Sequence, residues 1–190
     1  MGKIHAGATL TPHFRDFLPA WLAEQPWYEG SGPVRPAGFF RFEDPAGVVG
    51  VETHLLRNGD AVYQVPLTYR PAPLPGGALV VTAEHSVLGR RWIYDAVSDP
   101  VWVAALLDLV ARNGISDPAG RAGTSAAEAR GALLLPVELT PESVVIDLER
   151  RVVPDRPASG AAGVVTGSWH QDGEVRSGRL AVVRQTGPKA

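Results

Sequence analysis

VVGVETHLLRNGDAVYQVPLTY, residues 48 to 69, sets two β-rich runs on either side of Asn58-Gly59. Asn and Gly accept the positive φ angles of a type I′ turn, so the stretch predicts an antiparallel hairpin with a two-residue loop. With that loop Arg57 faces Asp60 and His54 faces Tyr63. Pro66 has no N–H to give a ladder, which predicts that its strand lies at a sheet edge or ends there.

Downstream, PAPLPGG (71–77) is a loop by composition, and residues 78–87 are strand-like. Gly89 marks a turn or bulge, after which RRWIYDA returns as a strand. Alternation puts Arg91, Ile93 and Asp95 on one face and Arg90, Trp92 and Tyr94 on the other. The expectation is that Trp92 and Tyr94 pack under a helix while Arg91 and Asp95 stay exposed. That helix begins with Asp99 as N-cap and Pro100 at its first position. It carries Trp102, Ala105, Leu106, Leu109 and Val110 on one face, pairs Asp108 with Arg112, and ends at Asn113-Gly114. Residues 115–130 are small and polar enough for a linker or loop. Strands are expected at 131–139, 143–153, 162–170 and 174–185, the last two joined by a tight turn at Asp172-Gly173.

Upstream, Thr11 is the expected N-cap and Pro12 the first residue of another helix, with Phe14, Phe17, Leu18, Trp21 and Leu22 as its apolar stripe. Pro19 removes one ladder bond, which predicts a kink or a later helix start. With 21 glycines and 17 prolines among 190 residues, short strands and turns are favoured over long helices. The fold class read from these patterns is α+β: a β-rich antiparallel sheet with two principal helices.

Eighteen Lys and Arg against 20 Asp and Glu give a net charge of −2, so no field exists to hold nucleic acid. The chain has no cysteine, which removes disulfides, thiolate nucleophiles and Cys-type zinc sites. No segment has the length and apolarity of a signal peptide or a membrane span, and the expectation is a soluble cytoplasmic protein.

Phosphoryl transfer needs a phosphate cradle, a lysine and metal-holding carboxylates. The chain has no G-x-x-x-x-G-K-[ST], and its lysines are Lys3 and Lys189. His170-Gln171-Asp172 imitates a catalytic loop, but Ser177 stands where asparagine is required, and a tight turn accounts for the same letters. There is no G-x-S-x-G, and Ser86 beside His85 points to the opposite face of a strand. The five histidines have no zinc-type spacing, so no metal, cofactor or catalytic residue is expected. Asp95 and Asp99 are read as a strand end and a helix cap in preference to an acid–base pair. Trp27-Tyr28 in a Pro/Gly-flanked turn either stacks on a ligand or partner or plugs a core.

LPAWLAEQPWYEG (18–30), a β-rich segment and then HSVLGRRWIYDAVSDPVWVAALLDLV (85–110) together resemble the N-terminal cap domain of maltokinases, over roughly residues 8–113. The resemblance rests on Trp21, Gln25, Trp27 and Tyr28 in the first motif and Tyr94, Asp95, Asp99 and Pro100 in the second. It implies a cystatin-like arrangement of sheet and helix that packs on a kinase lobe, with the catalytic residues elsewhere. Pro26 and Ser31 depart from the pattern, standing where the family often has Arg and Lys. The resulting expectation is a cap-like unit over 1–114, a loop or linker over 115–130 and a β-rich extension over 131–190. Its function is expected to be non-catalytic, in maltose, trehalose or α-glucan metabolism, through a partner such as a sugar kinase or through a bound sugar. The alternatives are a small-ligand-binding protein or an enzyme centred on His85 and Asp95. Candidate interaction residues are Trp27, Tyr28, His85, Arg90, Arg91, Trp92, Tyr94 and Asp95.

Overall fold

A computed structural model describes residues 5, 7–118 and 127–186. Its strands are β1 (Leu10–Thr11), β2 (Arg35–Phe42), β3 (Gly50–Asn58), β4 (Ala61–Arg70), β5 (Leu79–His85), β6 (Gly89–Asp95), β7 (Asp117–Pro118), β8 (Glu128–Leu133), β9 (Val144–Val153), β10 (Gly163–Gln171) and β11 (Glu174–Gln185). The helices are α1 (Phe14–Ala23) and α2 (Pro100–Ala111). All pairings between strands are antiparallel. The α+β reading therefore stands.

Strand β4 is the branch point. One edge pairs with β3 along its whole length, while the other pairs with β6 at Leu67–Arg70 and with β9 at Tyr63. The expectation that Pro66 marks an edge is corrected: it sits where the second edge changes partner, so its missing N–H falls beside a gap in the ladder. The two residues between Asn58 and Ala61 are Gly59 and Asp60, and only Gly59, at φ 57°, has positive φ. Glycine at the first central position is the type II′ pattern. The register consequently slips by two residues, and His54 faces Val65 in place of Tyr63.

The two faces of this sheet carry separate cores. Leu56, Val65, Leu67, Ala83 and Ile93 bury the stripe Phe17, Leu18 and Leu22 of α1. On the opposite face Phe40, Val51, Leu55 and Val62 pack with α2 and with the layer formed by β8–β11. Helix α1 starts later than expected. Thr11 pairs with Glu84 in β1, and His13 is the N-cap, its ring accepting the Arg15 N–H while Asp16 accepts the His13 N–H. Pro19 lies inside the helix.

Helix α2 begins as expected, Asp99 capping the Val101 N–H at 2.9 Å, and Asn113 takes positive φ at its end. Asp99 is fully buried and receives both Arg70 Nε and Nη2, at 2.6 and 2.7 Å. Burial alone would raise its carboxyl, but these bonds and the cap hold it below the usual range. Gly131 of β8 lies so close to α2 that a Cβ there would collide with the Leu109 carbonyl oxygen.

Strand β9 joins the two layers. Its pairing with β11 skips between Leu148 and Val153, and within that skip Arg151 pairs with Tyr63 of β4. Gln64 fills the opening: its buried amide donates to the Glu149 and Leu180 carbonyls at 2.8 and 2.5 Å. The Asp172-Gly173 turn between β10 and β11 forms as expected, both residues at positive φ, and Asp172 receives Arg57 at 2.7 Å.

Residues 115–118 and 127–130 join ladders: Ile115 bridges Arg130 and Asp117 pairs with Arg41. The rest of the expected linker lies outside the described residues. Among them no helix is long and apolar enough to cross a membrane.

Candidate functional site

The face of the sheet beneath α1 gathers two groups of half-buried polar and aromatic side chains. At the C-terminal end of the helix, Gln25 donates to the Trp21 carbonyl at 2.9 Å and closes the turn that leads to Trp27 and Tyr28. The Trp27 ring lies 6.0 Å from Trp21 and 6.4 Å from Tyr63, and Tyr28 lies 4.9 Å from Tyr63, edge to face. Arg150 of β9 places its guanidinium 4.8 Å from the Trp27 ring centre and donates to Asp95. Asp95 Oδ1 and Arg150 Nη1 are both buried without a hydrogen-bond partner. An outer pair, Arg151 with Glu29 at 3.3 Å, is exposed. Desolvation, with Tyr63 nearby, raises the Tyr28 phenol, so it stays neutral at physiological pH.

At the N-terminal end of the helix a different set meets across three strands. Arg41 of β2 stands directly opposite Glu52 of β3, Nε to Oε1 3.4 Å. His54, two residues on and therefore on the same face, lies 3.7 Å from Glu52 and 3.3 Å from the Tyr69 hydroxyl of β4. Phe14 and Phe39 flank its ring at 4.8 and 5.9 Å. Burial would raise the Glu52 carboxyl, but the hydrogen bond and charge from His54, with Arg41 and Tyr69, hold it below its usual range. Burial and then Glu52 push the Tyr69 phenol well up. At neutral pH the cluster presents an ionised carboxylate, a guanidinium and a protonated phenol. Among the described residues no group of three or more His, Asp or Glu is arranged to hold a metal ion.

The candidate residues divide three ways. Trp27, Tyr28 and Asp95 join the aromatic end. His85 and Arg91 lie toward the polar end: the His85 imidazole is lowered by burial, then by His5 and Arg91, against an opposing pull from Glu52. Arg90, Trp92 and Tyr94 occupy the other face, where Arg90 pairs with Glu84 at 2.9 Å. Tyr94 does not pack under α2 as expected; its hydroxyl accepts the Leu74 N–H at 2.8 Å and Gly77 lies against its ring, so the 71–77 loop covers it. Asp95, expected to be exposed, is 93% buried, its residual exposure being 7%. His85 pairs with Gly89 in the hairpin, and the six residues from there to Asp95 span roughly 20 Å of strand. His85 and Asp95 do not share a centre. The His85 ring instead accepts the Val87 and Leu88 N–H groups of its own turn.

Sequence reading did not single out Arg150, Arg41, Glu52, His54 or Tyr69. The one local signal was Glu52-x-His54, a same-face spacing within a strand.

The stretch holding both ends of this face has a counterpart among known domains. Residues 21–99 match the maltokinase N-terminal cap domain. The match runs from Trp21 in α1 to the Asp99 cap of α2, narrower than the 8–113 expected, and it sets this part of the chain in a maltokinase-related context. No curated protein matches the chain. Trp27, Tyr63 and Asp95 lie inside the cap-like stretch, whereas Arg150, which ties Trp27 to Asp95, lies outside it. Arg41, Glu52, His54 and Tyr69 all lie inside.

Proposed function

We propose that this chain is a non-catalytic, cytoplasmic, cap-like protein of maltose, trehalose or α-glucan metabolism, acting by binding a partner enzyme such as a sugar kinase, or a sugar. The match of residues 21–99 to the maltokinase cap carries this reading. In this proposal the cap-like unit ends near Gly114, and the strands from residue 131 onward are an extension packed on it. Arg150 supports that division, since the extension supplies the cation that closes over Trp27 and Asp95 of the cap-like stretch.

The test is thermal unfolding of the full chain with maltose, trehalose, maltose 1-phosphate, longer glucans and Mg-ATP, beside affinity capture with candidate sugar kinases. A ligand at 100 times its dissociation constant stabilises a fold by about 2.7 kcal/mol, readable as several degrees. A shift with sugar, or capture of an α-glucan enzyme, supports the reading. ATP-dependent phosphorylation of maltose by the pure protein sinks it.

One observation favours a second reading, a small-ligand-binding protein. A cleft of about 240 Å³ opens between Val97, Trp102 and Val103 on one side and Val144, Ile146 and Leu148 of β9 on the other. It falls below the roughly 300–1,000 Å³ of drug-sized sites, so its ligand would be small. Unchanged Trp fluorescence on titration with small aliphatic and aromatic compounds would remove this reading.

A further inference from the structure

We propose that the cluster of Arg41, Glu52 and Tyr69, floored by His54 and flanked by Phe39, binds a neutral saccharide through a pair of its ring hydroxyls. This deepens the sugar-binding reading above and rests on it.

Exposure comes first. His54 is buried, whereas Arg41, Glu52, Tyr69 and Phe39 are each half-buried, so their side chains stand around a closed floor with access to solvent. The aromatic end of the same face differs, because Arg150 is drawn onto Trp27 and Asp95 by the chain itself. Unused bonding capacity comes second. Arg41 Nε is buried beside Glu52 yet makes no hydrogen bond, so the pair is held by charge, and the exposed fifth of the Arg41 side chain lies beyond that nitrogen.

Charge then selects the ligand. A free anion meets the Glu52 carboxylate, and Arg41, the nearest cation, is already paired with it. A cation meets Arg41, and Arg91 lies on the same face. An apolar molecule would strand the carboxylate and guanidinium without water or a hydrogen-bonding partner. A neutral polyhydroxyl compound fits: one hydroxyl donates to Glu52, its neighbour accepts from Arg41, and the Tyr69 hydroxyl serves either role. The C–H face of a sugar ring can rest on Phe39, as apolar walls with few polar groups commonly orient a ligand. Tyr69 stays protonated and Glu52 ionised throughout the physiological range, so the arrangement holds its donor and acceptor roles without a proton shift.

The test is calorimetric titration of the full chain at neutral pH with maltose, with trehalose and separately with inorganic phosphate. It is repeated on Glu52→Gln, Arg41→Gln and Tyr69→Phe, with Arg90→Ala on the opposite face as control. The expected result is saccharide binding by the parent chain and by Arg90→Ala, weakened about tenfold or more in Glu52→Gln and Arg41→Gln, the loss of one charge-assisted hydrogen bond. Circular dichroism melts report whether each variant is folded, and Tyr69→Phe, which keeps its ring, gives the answer if a charge variant is not. Saccharide binding at full strength in all three cluster variants overturns the assignment and leaves the sugar-binding reading intact. No saccharide binding by the parent chain overturns the assignment together with that reading's sugar arm, and the partner arm is then decided by affinity capture. Binding of phosphate in place of saccharide overturns the choice of ligand.

Discussion

The two ends of the sheet face beneath α1 use similar residues to opposite effect. At the C-terminal end of the helix an Arg lies against a tryptophan ring and pairs with an Asp, brought there by a strand that crosses from the other layer. At the N-terminal end a Glu and an Arg stand across neighbouring strands, their side chains 25% and 19% exposed. In the first case the charges are spent inside the protein, and they hold β9 to β4 and β6 at the gap beside Pro66. In the second Glu52 is bonded by His54 and Tyr69 as well, and only the Arg41 Nε is left without a hydrogen bond. A buried ion pair is weak evidence for net stability but strong evidence that neither partner can be removed alone. The Arg41–Glu52 pair is less deeply buried and has no hydrogen bond from Arg41 Nε, so its loss is expected to cost the fold less.

The sharpest way to break this comparison is Arg150→Ala. It leaves the Asp95 carboxylate buried with no cation and removes the contact on Trp27, and the expected loss is about 3 to 5 kcal/mol. Urea unfolding should show a lower midpoint at an unchanged slope. The companion double variant Asp95→Leu/Arg150→Met removes both charges and is expected to recover most of that loss. If Arg150→Ala costs under about 1 kcal/mol, the aromatic end is not a closed structural unit.

Trp27→Ala is the next largest. The ring is half-buried and carries the cation–π contact and two aromatic neighbours, so the expected loss is about 2 to 3 kcal/mol, below that of a fully buried Trp. A double-mutant cycle with Arg150 should give a coupling of about 0.5 to 2 kcal/mol. A coupling of zero would mean that the stacking carries no energy of its own.

How far the sequence spoke differs between the two ends. Trp27, Tyr28 and Asp95 were legible because they belong to local motifs, a turn after a helix and a strand end before a cap. Arg150 was not, because it reaches Trp27 only through the skip in the β9 ladder, which no spacing announces. The polar cluster draws Arg41, Glu52, His54 and Tyr69 from three strands, so it exists only once the registers are known. The register read from Asn58-Gly59 was displaced by two residues, because the Asn58 amide is taken by the Ser31 backbone at 2.9 and 3.2 Å and the turn forms one residue later. A slip of two keeps every side chain on its face, and for that reason the architecture survived the error while the cross-strand partners did not. Helix α2 was legible in detail, since Asp99, Pro100, Asn113 and Gly114 act locally. The α1 start was misplaced because Thr11 is drawn into pairing with β5, a contact distant in sequence.

At the polar end the effects on stability should be smaller. Tyr69→Phe removes the hydroxyl that His54 meets at 3.3 Å and keeps the ring, with an expected loss of about 1 kcal/mol. A loss comparable to that of Arg150→Ala would erase the distinction between the two ends.

The smallest effect is also the most specific, because it separates groups by pH. The Glu52 carboxyl is lowered in the folded chain, so its contribution is fully present above the unfolded value of 4.5 and is lost as pH falls through the folded value. The His13 and His85 imidazoles are lowered as well, by burial first, so protonation favours the unfolded chain and stability declines as pH falls below 6.5. Asp44 and Asp99 are lowered from 3.8 by backbone N–H groups and by Arg70, which outweigh their burial, and their loss comes last. Urea midpoints measured from pH 7.5 down to 3.5 should therefore decline in stages. Glu52→Gln is expected to flatten the limb below about 4.5 while leaving the decline near 6.5 and the final fall below 3.8 in place. Arg150→Ala should lower the whole curve and leave the Glu52 limb in place, since Arg150 is not among the groups that act on Glu52. If Glu52→Gln left the limb unchanged, the carboxylate would not be coupled to His54 and Arg41 as their contacts require, and the polar end would lose its fixed acceptor.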